Sequence, residues 1–348
     1  MGIVRTTQSR RFQLEEFCQS LQTTKLTSYN YNKREQHPTW REIHENFDHE
    51  KLVCVTSGVS YLGLAIVNRL LNRGYSVRIA VDNQEELEKL REMNFNRVSA
   101  VTAKMTDVNS LFEAFNGCRG VFHTSAFIDP AGVSGYTKYL GELEMKASEN
   151  VMKACAMTDS VRKCVFTSSL LACIWRNDAP QDFPNVVDHN SWTEESICID
   201  KKLWFALGKT MAEKAAWRIA EESDVRLVTI CPGLITGPEF YRKSPTPSTA
   251  YMKGAQDMYR MGLLATVDVS RVAEAHICVY EAMNSTACGR YLCFDRVIER
   301  EVEVVDIATQ MGLQTQRIAS TALNELTPRI KLCNEKLSRL MSRQSRCY

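Results

Sequence analysis

The sequence has no uninterrupted apolar run long enough to cross a bilayer, which argues against a membrane-spanning class. It has almost no net charge: 43 Lys and Arg against 41 Asp and Glu leave +2. So balanced a chain has no whole-molecule field for a nucleic-acid backbone, and no nucleic-acid partner is expected. Its 13 cysteines include no Cys-x-x-Cys pair. An odd, scattered set fits buried free thiols in a reducing compartment, so neither a disulfide framework nor a metal site is expected. The N-terminal stretch, with Arg5, Arg10, Arg11, Glu15 and Glu16, lacks the apolar core of a secretory leader. The expectation is a cytoplasmic protein with no membrane partner. Met1-Gly2-Ile3-Val4-Arg5-Thr6 matches the myristoylation pattern, but so short a pattern recurs by chance, and one acyl chain anchors only marginally.

What is present reads as alternating strands and helices. A length of 348 residues suffices for one large α/β domain and a smaller lobe. Residues 1–48 are polar and without a sustained period, the pattern of a poorly ordered extension. Short apolar runs then recur at Leu52–Thr56, Ser76–Val81, Val98–Thr102, Gly120–Thr124, Lys163–Thr167 and Val225–Ile230. Amphipathic segments separate them, among them Lys138–Met157. This alternation predicts a Rossmann-type, doubly wound parallel sheet. The sixth run is expected to stop at Cys231-Pro232, since proline removes a ladder donor. A helix is expected near Thr249–Arg260, a strand at Gly289–Phe294 and a closing helix near Asn334–Leu340. The divisions that follow are a dinucleotide-binding domain over 49–235, a substrate lobe over 236–341 with a strand-helix return to the sheet, and a basic tail at 342–348.

The turn after the first strand is Thr56-Ser57-Gly58-Val59-Ser60-Tyr61-Leu62-Gly63. It lacks the Lys-Ser/Thr that would make it a P-loop. A dinucleotide turn needs small residues, so that backbone N–H groups and the helix N-terminus can approach a pyrophosphate. Ser57 and Ser60 stand in the first two glycine places, Gly63 in the third, and Gly58 is one place off. The fingerprint is weakened, because a serine Cβ costs energy wherever φ must be positive. Asp82 lies 19 residues after Gly63, where a carboxylate can accept from the adenosine ribose and so leans toward NAD over NADP. Arg78 is near enough to blur that preference.

Leu203-Trp204-Phe205-Ala206-Leu207-Gly208-Lys209 opens a further helix, with apolar positions continuing at Ala212, Ala215, Ala216 and Ile219. Phe205 and Lys209 are four apart and share a face. A lysine beside a phenol lowers its pKa and makes it a proton donor to a carbonyl. Position 205 has no phenol.

Gly120-Val-Phe-His123, Val161 to Ser169, Trp204 to Trp217 and Pro232-Gly-Leu-Ile-Thr-Gly-Pro238 together resemble the extended short-chain dehydrogenase/reductases of plants. Within these the chain is most similar to the cinnamoyl-CoA reductase-like and dihydroflavonol reductase-like group, over about residues 51 to 341. The resemblance implies that Ser169 hydrogen-bonds the substrate carbonyl and that Lys209 holds the nicotinamide ribose. It places Thr56 to Gly63, Asp82, His123, Thr124 and Pro232 beside the dinucleotide, and Ser125 and Trp204 at the substrate. Phe205 stands where the family has its catalytic tyrosine, and Lys104 where relatives have an adenine-contacting Asp. The implied activity is NAD(P)H-dependent reduction of a small aromatic carbonyl by a monomer or weak dimer, impaired to the extent that Phe205 removes the acid. The alternative is a catalytically silent, cofactor-binding relative working as regulator or scaffold. His189 and Trp192 either line a substrate pocket or pin down their own loop.

Overall fold

Leu52–Thr56 (β1) is buried along its whole length, as expected of a parallel strand covered on both faces. The computed structural model describes residues 51–92, 97–124, 136–177, 186–243, 245–311 and 330–344. The N-terminal extension with its Gly2 pattern, and Ser125, lie outside them. Ser76–Val81 (β2), Val98–Thr102 (β3), Gly120–His123 (β4), Lys163–Thr167 (β5), Arg226–Pro232 (β6) and Gly289–Cys293 (β7) complete a sheet of seven strands. Their order is β7-β6-β5-β4-β1-β2-β3, and every neighbouring pair is parallel. Strand order reverses between β1 and β4, and a crevice for a ligand opens at the carboxyl ends of such strands. The expected Rossmann-type α/β architecture is the one observed.

Side chains alternate across this sheet. Val53, Val55 and Ile230 face helices Tyr61–Asn72 (α1) and Val269–Ala282 (α6), meeting Ile66, Leu70, Val272 and Ile277. Leu52, Cys54, Val121 and Cys164 face Val108–Phe115 (α3), Lys138–Met157 (α4) and Trp204–Glu221 (α5), meeting Leu111, Phe115, Val151, Met152 and Ala216. Each fully buried aliphatic side chain of this kind contributes about 1.5–3 kcal/mol. The charged helix Gln84–Glu92 (α2) flanks β2 and β3, and Glu335–Gln344 (α7) packs beside α6 and β7. A separate apolar cluster gathers Trp175, Leu203, Phe205, Phe240, Tyr251 and Met258.

Two expectations need correction. The sixth strand runs on through Pro232, which pairs with Cys293, and its carbonyl accepts from Leu170 N–H at 2.7 Å. β5 has already ended at Thr167↔Ile230, so the proline's missing donor removes no bond on that side. The helix expected near 249–260 is two, Pro245–Tyr251 and Ala255–Met261, divided where Gly254 adopts φ +86°. A left-handed glycine ends one helical path and starts another. Residues 265–268 pair with 234–236 and 296–297 in a small second sheet, and α6 then returns to the main one. All the described cysteines are free thiols, and of them only Cys288 and Cys333 are not buried. Among the described residues no helix is long and apolar enough to cross a membrane.

Candidate active site

β1 and β4 deliver Thr56 and His123 side by side at the strand-order reversal. Thr56 Oγ1 lies 2.9 Å from His123 Nδ1 and accepts from Thr124 N–H at 3.2 Å, while Thr124 Oγ1 donates to the Thr56 carbonyl at 2.6 Å. The turn that follows is tight. A Cβ on Gly63 would stand 2.3 Å from the Ser57 carbonyl oxygen, and one on Gly58 2.7 Å from Ile79. Gly58 is therefore small for packing against β2. Ser57 itself adopts φ +52°, the left-handed conformation of the glycine whose place it takes. Ser60 caps α1: its Oγ accepts from Gly63 N–H at 3.1 Å, and its own N–H donates to Ser57 O at 2.9 Å. Tyr61 donates its hydroxyl to Pro238 O at 3.3 Å, and Leu62 is buried beneath. A close turn, a helix N-terminus and no room for a Cβ at Gly63 together fit the pyrophosphate of a dinucleotide. Asp82 is exposed just past β2. Arg78 is committed elsewhere, donating to the carbonyls of Ala114 and Asn116 at the end of α3 at 2.9 and 2.6 Å.

The left-handed serine gives a direct prediction. Such a conformation costs a non-glycine residue about 1–2 kcal/mol, against roughly 0.4–1 kcal/mol of added unfolded-chain entropy for glycine. Ser57→Gly is expected to raise unfolding stability by about 0.5–1 kcal/mol in urea titrations. A stability loss would show that the Ser57 side chain makes a compensating bond.

The second half of the site lies where α4 crosses α5. Gly141 and Gly208 let the two backbones touch; a Cβ on Gly208 would stand 2.7 Å from Gly141 Cα. That approach brings Lys209 and Glu144 into a buried ion pair, their side chains 6% and 2% exposed. The Tyr136 hydroxyl donates to the same carboxylate. The Phe205 ring meets the Tyr136 ring edge to face with centroids 4.9 Å apart, and Lys209 Nζ lies 5.6 Å from the Phe205 centroid. Burial, helped by the Lys209 charge, lowers the His123 pKa to about 3, so its imidazole is neutral. Burial and the Glu144 charge raise that of Tyr136.

The fold thus gathers Lys209, Phe205 and His123, with Thr56 next to them. Ser169 is buried at the end of β5, where its Oγ accepts from Leu171 N–H at 3.2 Å. Trp204 is the half-buried first residue of α5 and packs against the apolar cluster around Trp175 and Tyr251. Trp192 stacks its ring 3.6 Å from the Arg290 guanidinium and so pins its own segment. Residues the sequence reading passed over are Tyr136, Glu144, Glu213 and Arg290. Glu144 and Glu213 did leave a signal, each being an acid on an otherwise apolar helix face: Leu140, Glu144, Ala147 and Val151 on α4, and Ala212, Glu213 and Ala216 on α5.

A model of the 3-beta hydroxysteroid dehydrogenase/isomerase family matches residues 54–311. The chain belongs to that family. Cinnamoyl-CoA reductase 1 of Petunia hybrida is 35% identical over 300 residues, 83% of this chain and 86% of the relative. Dihydroflavonol 4-reductase of Arabidopsis thaliana is 32% identical over 257 residues, 70% of this chain and 65% of the relative. Yeast methylglyoxal/isovaleraldehyde reductase Gre2, solved in complex with NADPH, superposes with a TM-score of 0.62 at 19% identity, over 84% of this chain and 93% of that one. Within the family, the chain falls in the cinnamoyl-CoA reductase-like and dihydroflavonol reductase-like group, as its motifs implied.

Proposed function

We propose that the chain is a nicotinamide-dependent carbonyl reductase acting on a small aromatic aldehyde, ketone or thioester. The observation that carries this reading is the buried Lys209, held by Glu144 beside the Phe205 ring. A lysine fixed there can hold the nicotinamide ribose, in a chain 35% identical to a cinnamoyl-CoA reductase. When bound, the reduced nicotinamide supplies the hydride. The turn Thr56–Gly63 and the α1 N-terminus hold the pyrophosphate, and Pro232 sits at the β6 end beside the crevice. Ser169 keeps a hydroxyl proton with which to hold a substrate oxygen, since its Oγ only accepts from Leu171. Asp82 takes the adenosine ribose. With Arg78 engaged by α3, NADH is preferred over NADPH. The relatives are reductases, which weighs against the alternative of a silent regulator.

The test is oxidation of NADH and NADPH against cinnamoyl-CoA, cinnamaldehyde and a dihydroflavonol, with the native protein and Phe205→Tyr side by side. Turnover by the native protein, faster with NADH, is the expected outcome. No turnover by either protein, with dinucleotide still bound, would refute the reductase reading.

A further inference from the structure

A reductase without a phenol at position 205 needs another acid for the substrate oxygen, since losing a positioned general acid costs about 10²–10⁴-fold. One phenol stands against that position. The Tyr136 ring packs edge-on to Phe205 with centroids 4.9 Å apart, and its hydroxyl bonds Glu144, whose other oxygen pairs with Lys209. We propose that Tyr136 is the proton donor to the substrate oxygen, with Glu144 as a positioning residue that joins it to Lys209. The inference rests on the carbonyl-reductase reading.

Three features support it. The array is built on a buried ion pair, and packing alone does not favour this, because such a pair often does no better than apolar side chains of equal volume. Its members arrive from two directions: Tyr136 and Glu144 belong to α4 and the segment entering it, whereas Phe205 and Lys209 belong to α5. The close approach at Gly141 and Gly208 is what joins them. A Cβ on Gly208 would also stand 3.0 Å from the Tyr136 hydroxyl, so the second glycine keeps room for the phenol.

The chemistry balances. Reduction of the carbonyl carbon by a bound reduced nicotinamide dinucleotide leaves the electron pair and negative charge on the substrate oxygen. The Tyr136 O–H bond breaks, an O–H bond forms on that oxygen, and the charge passes to the phenolate. With an aldehyde or ketone the alcohol then leaves; with a thioester the protonated hemithioacetal breaks its C–S bond, its O–H proton passing to the departing thiolate, and the aldehyde and thiol leave. In either case Tyr136 regains a proton from solvent. Burial and Glu144 hold the phenol proton in place at rest, and an alkoxide is a far stronger base than a phenolate, so the transfer waits for reduction.

The experiment compares native protein, Tyr136→Phe, Phe205→Tyr and the double variant, with NADH or NADPH and the three substrates named above. Dinucleotide binding is followed in parallel by nicotinamide fluorescence. Tyr136→Phe is expected to lower kcat about 10²–10⁴-fold while dinucleotide affinity stays within about twofold. Adding Phe205→Tyr to Tyr136→Phe is expected to recover at least about tenfold, since it returns a phenol to the neighbouring position. Because position 205 is where the family carries its own acid, the background decides: the gain from Phe205→Tyr is expected to be at least about tenfold larger on Tyr136→Phe than on the native protein, and equal gains in the two would overturn the proposal. Native-like turnover by Tyr136→Phe overturns the proposal, as does a loss that Phe205→Tyr cannot recover. An inactive native protein beside an active Phe205→Tyr overturns it too, and leaves the reductase reading standing. Inactivity of all four proteins, with dinucleotide bound, removes both.

Discussion

Glu213→Ala is expected to destabilise the protein by about 3–5 kcal/mol, because it leaves a buried guanidinium without its counter-charge. Glu213 lies on α5 one turn beyond Lys209 and is fully buried. Its Oε1 accepts from Thr229 Oγ1 at 2.6 Å and Arg290 Nε at 2.8 Å; its Oε2 accepts from Ser168 Oγ at 2.6 Å and Arg290 Nη2 at 3.1 Å. Arg290, at the start of β7, also donates to the carbonyls of Ser191 and Ala172 and stacks on Trp192. One carboxylate therefore ties together α5, the end of β5, β6 and β7, and through Arg290 the backbone at Ala172 and Ser191. Removing it strands Arg290 together with the hydroxyls of Thr229 and Ser168. With a urea dependence of about 3 kcal/mol/M, the midpoint is expected to fall by about 1–2 M. The double variant Glu213→Leu/Arg290→Met should lose less than the two single losses summed, since neither ion is then left alone. Strict additivity would mean that the two side chains do not act as a pair. Lys209 shares the helix, so Glu213→Ala should also lower dinucleotide affinity in whatever protein remains folded.

The sheet was legible because parallel strands buried on both faces appear as short apolar runs, as β1 and the centre of β5 do, and in β2 only Arg78 interrupts the run. The length of β6 was misread for a physical reason. The proline rule assumes a neighbour on both sides, whereas Pro232 extends the strand only beside β7. Ser57 was legible as a cost, since its place in the turn demands a positive φ whatever residue fills it. The Tyr136–Glu144–Lys209 array was not legible. Tyr136 and Glu144 come from α4 and its entry and Lys209 from α5, and the contact of Gly141 with Gly208 is what makes the two sides neighbours. A buried acid on an apolar stripe announces that some partner exists, but it does not identify the partner. His189 and Trp192 were open to two readings, and the arginine that Trp192 covers lies about a hundred residues further along the chain.

Acidification from pH 7.5 to pH 5 is expected to lower unfolding stability by about 4 kcal/mol, through two buried histidines contributing about 2 kcal/mol each. Burial and the Lys209 charge lower the pKa of His123 to about 3, and burial lowers that of His276 to about 4. In both, the folded pKa lies below the ordinary value of 6.5, so between the two values the unfolded chain binds protons that the folded chain does not. Stability is therefore full above pH 6.5 and falls as pH drops, for His123 down to about 3 and for His276 to about 4. Ordinary carboxylates titrate near pH 4 and add little above pH 5. The hydrogen bonds of His276 agree with a neutral ring. Nδ1 lies 2.7 Å from the Val272 carbonyl, to which it can only donate, so Nε2 accepts from Thr167 Oγ1 at 2.8 Å. Urea midpoints of the native protein and His276→Gln at both pH values would check this. Glutamine can keep the contact with Thr167 and does not titrate, so the variant should lose about half as much on acidification. Equal losses in the two proteins would mean that His276 takes up a proton in the folded state as readily as in the unfolded one.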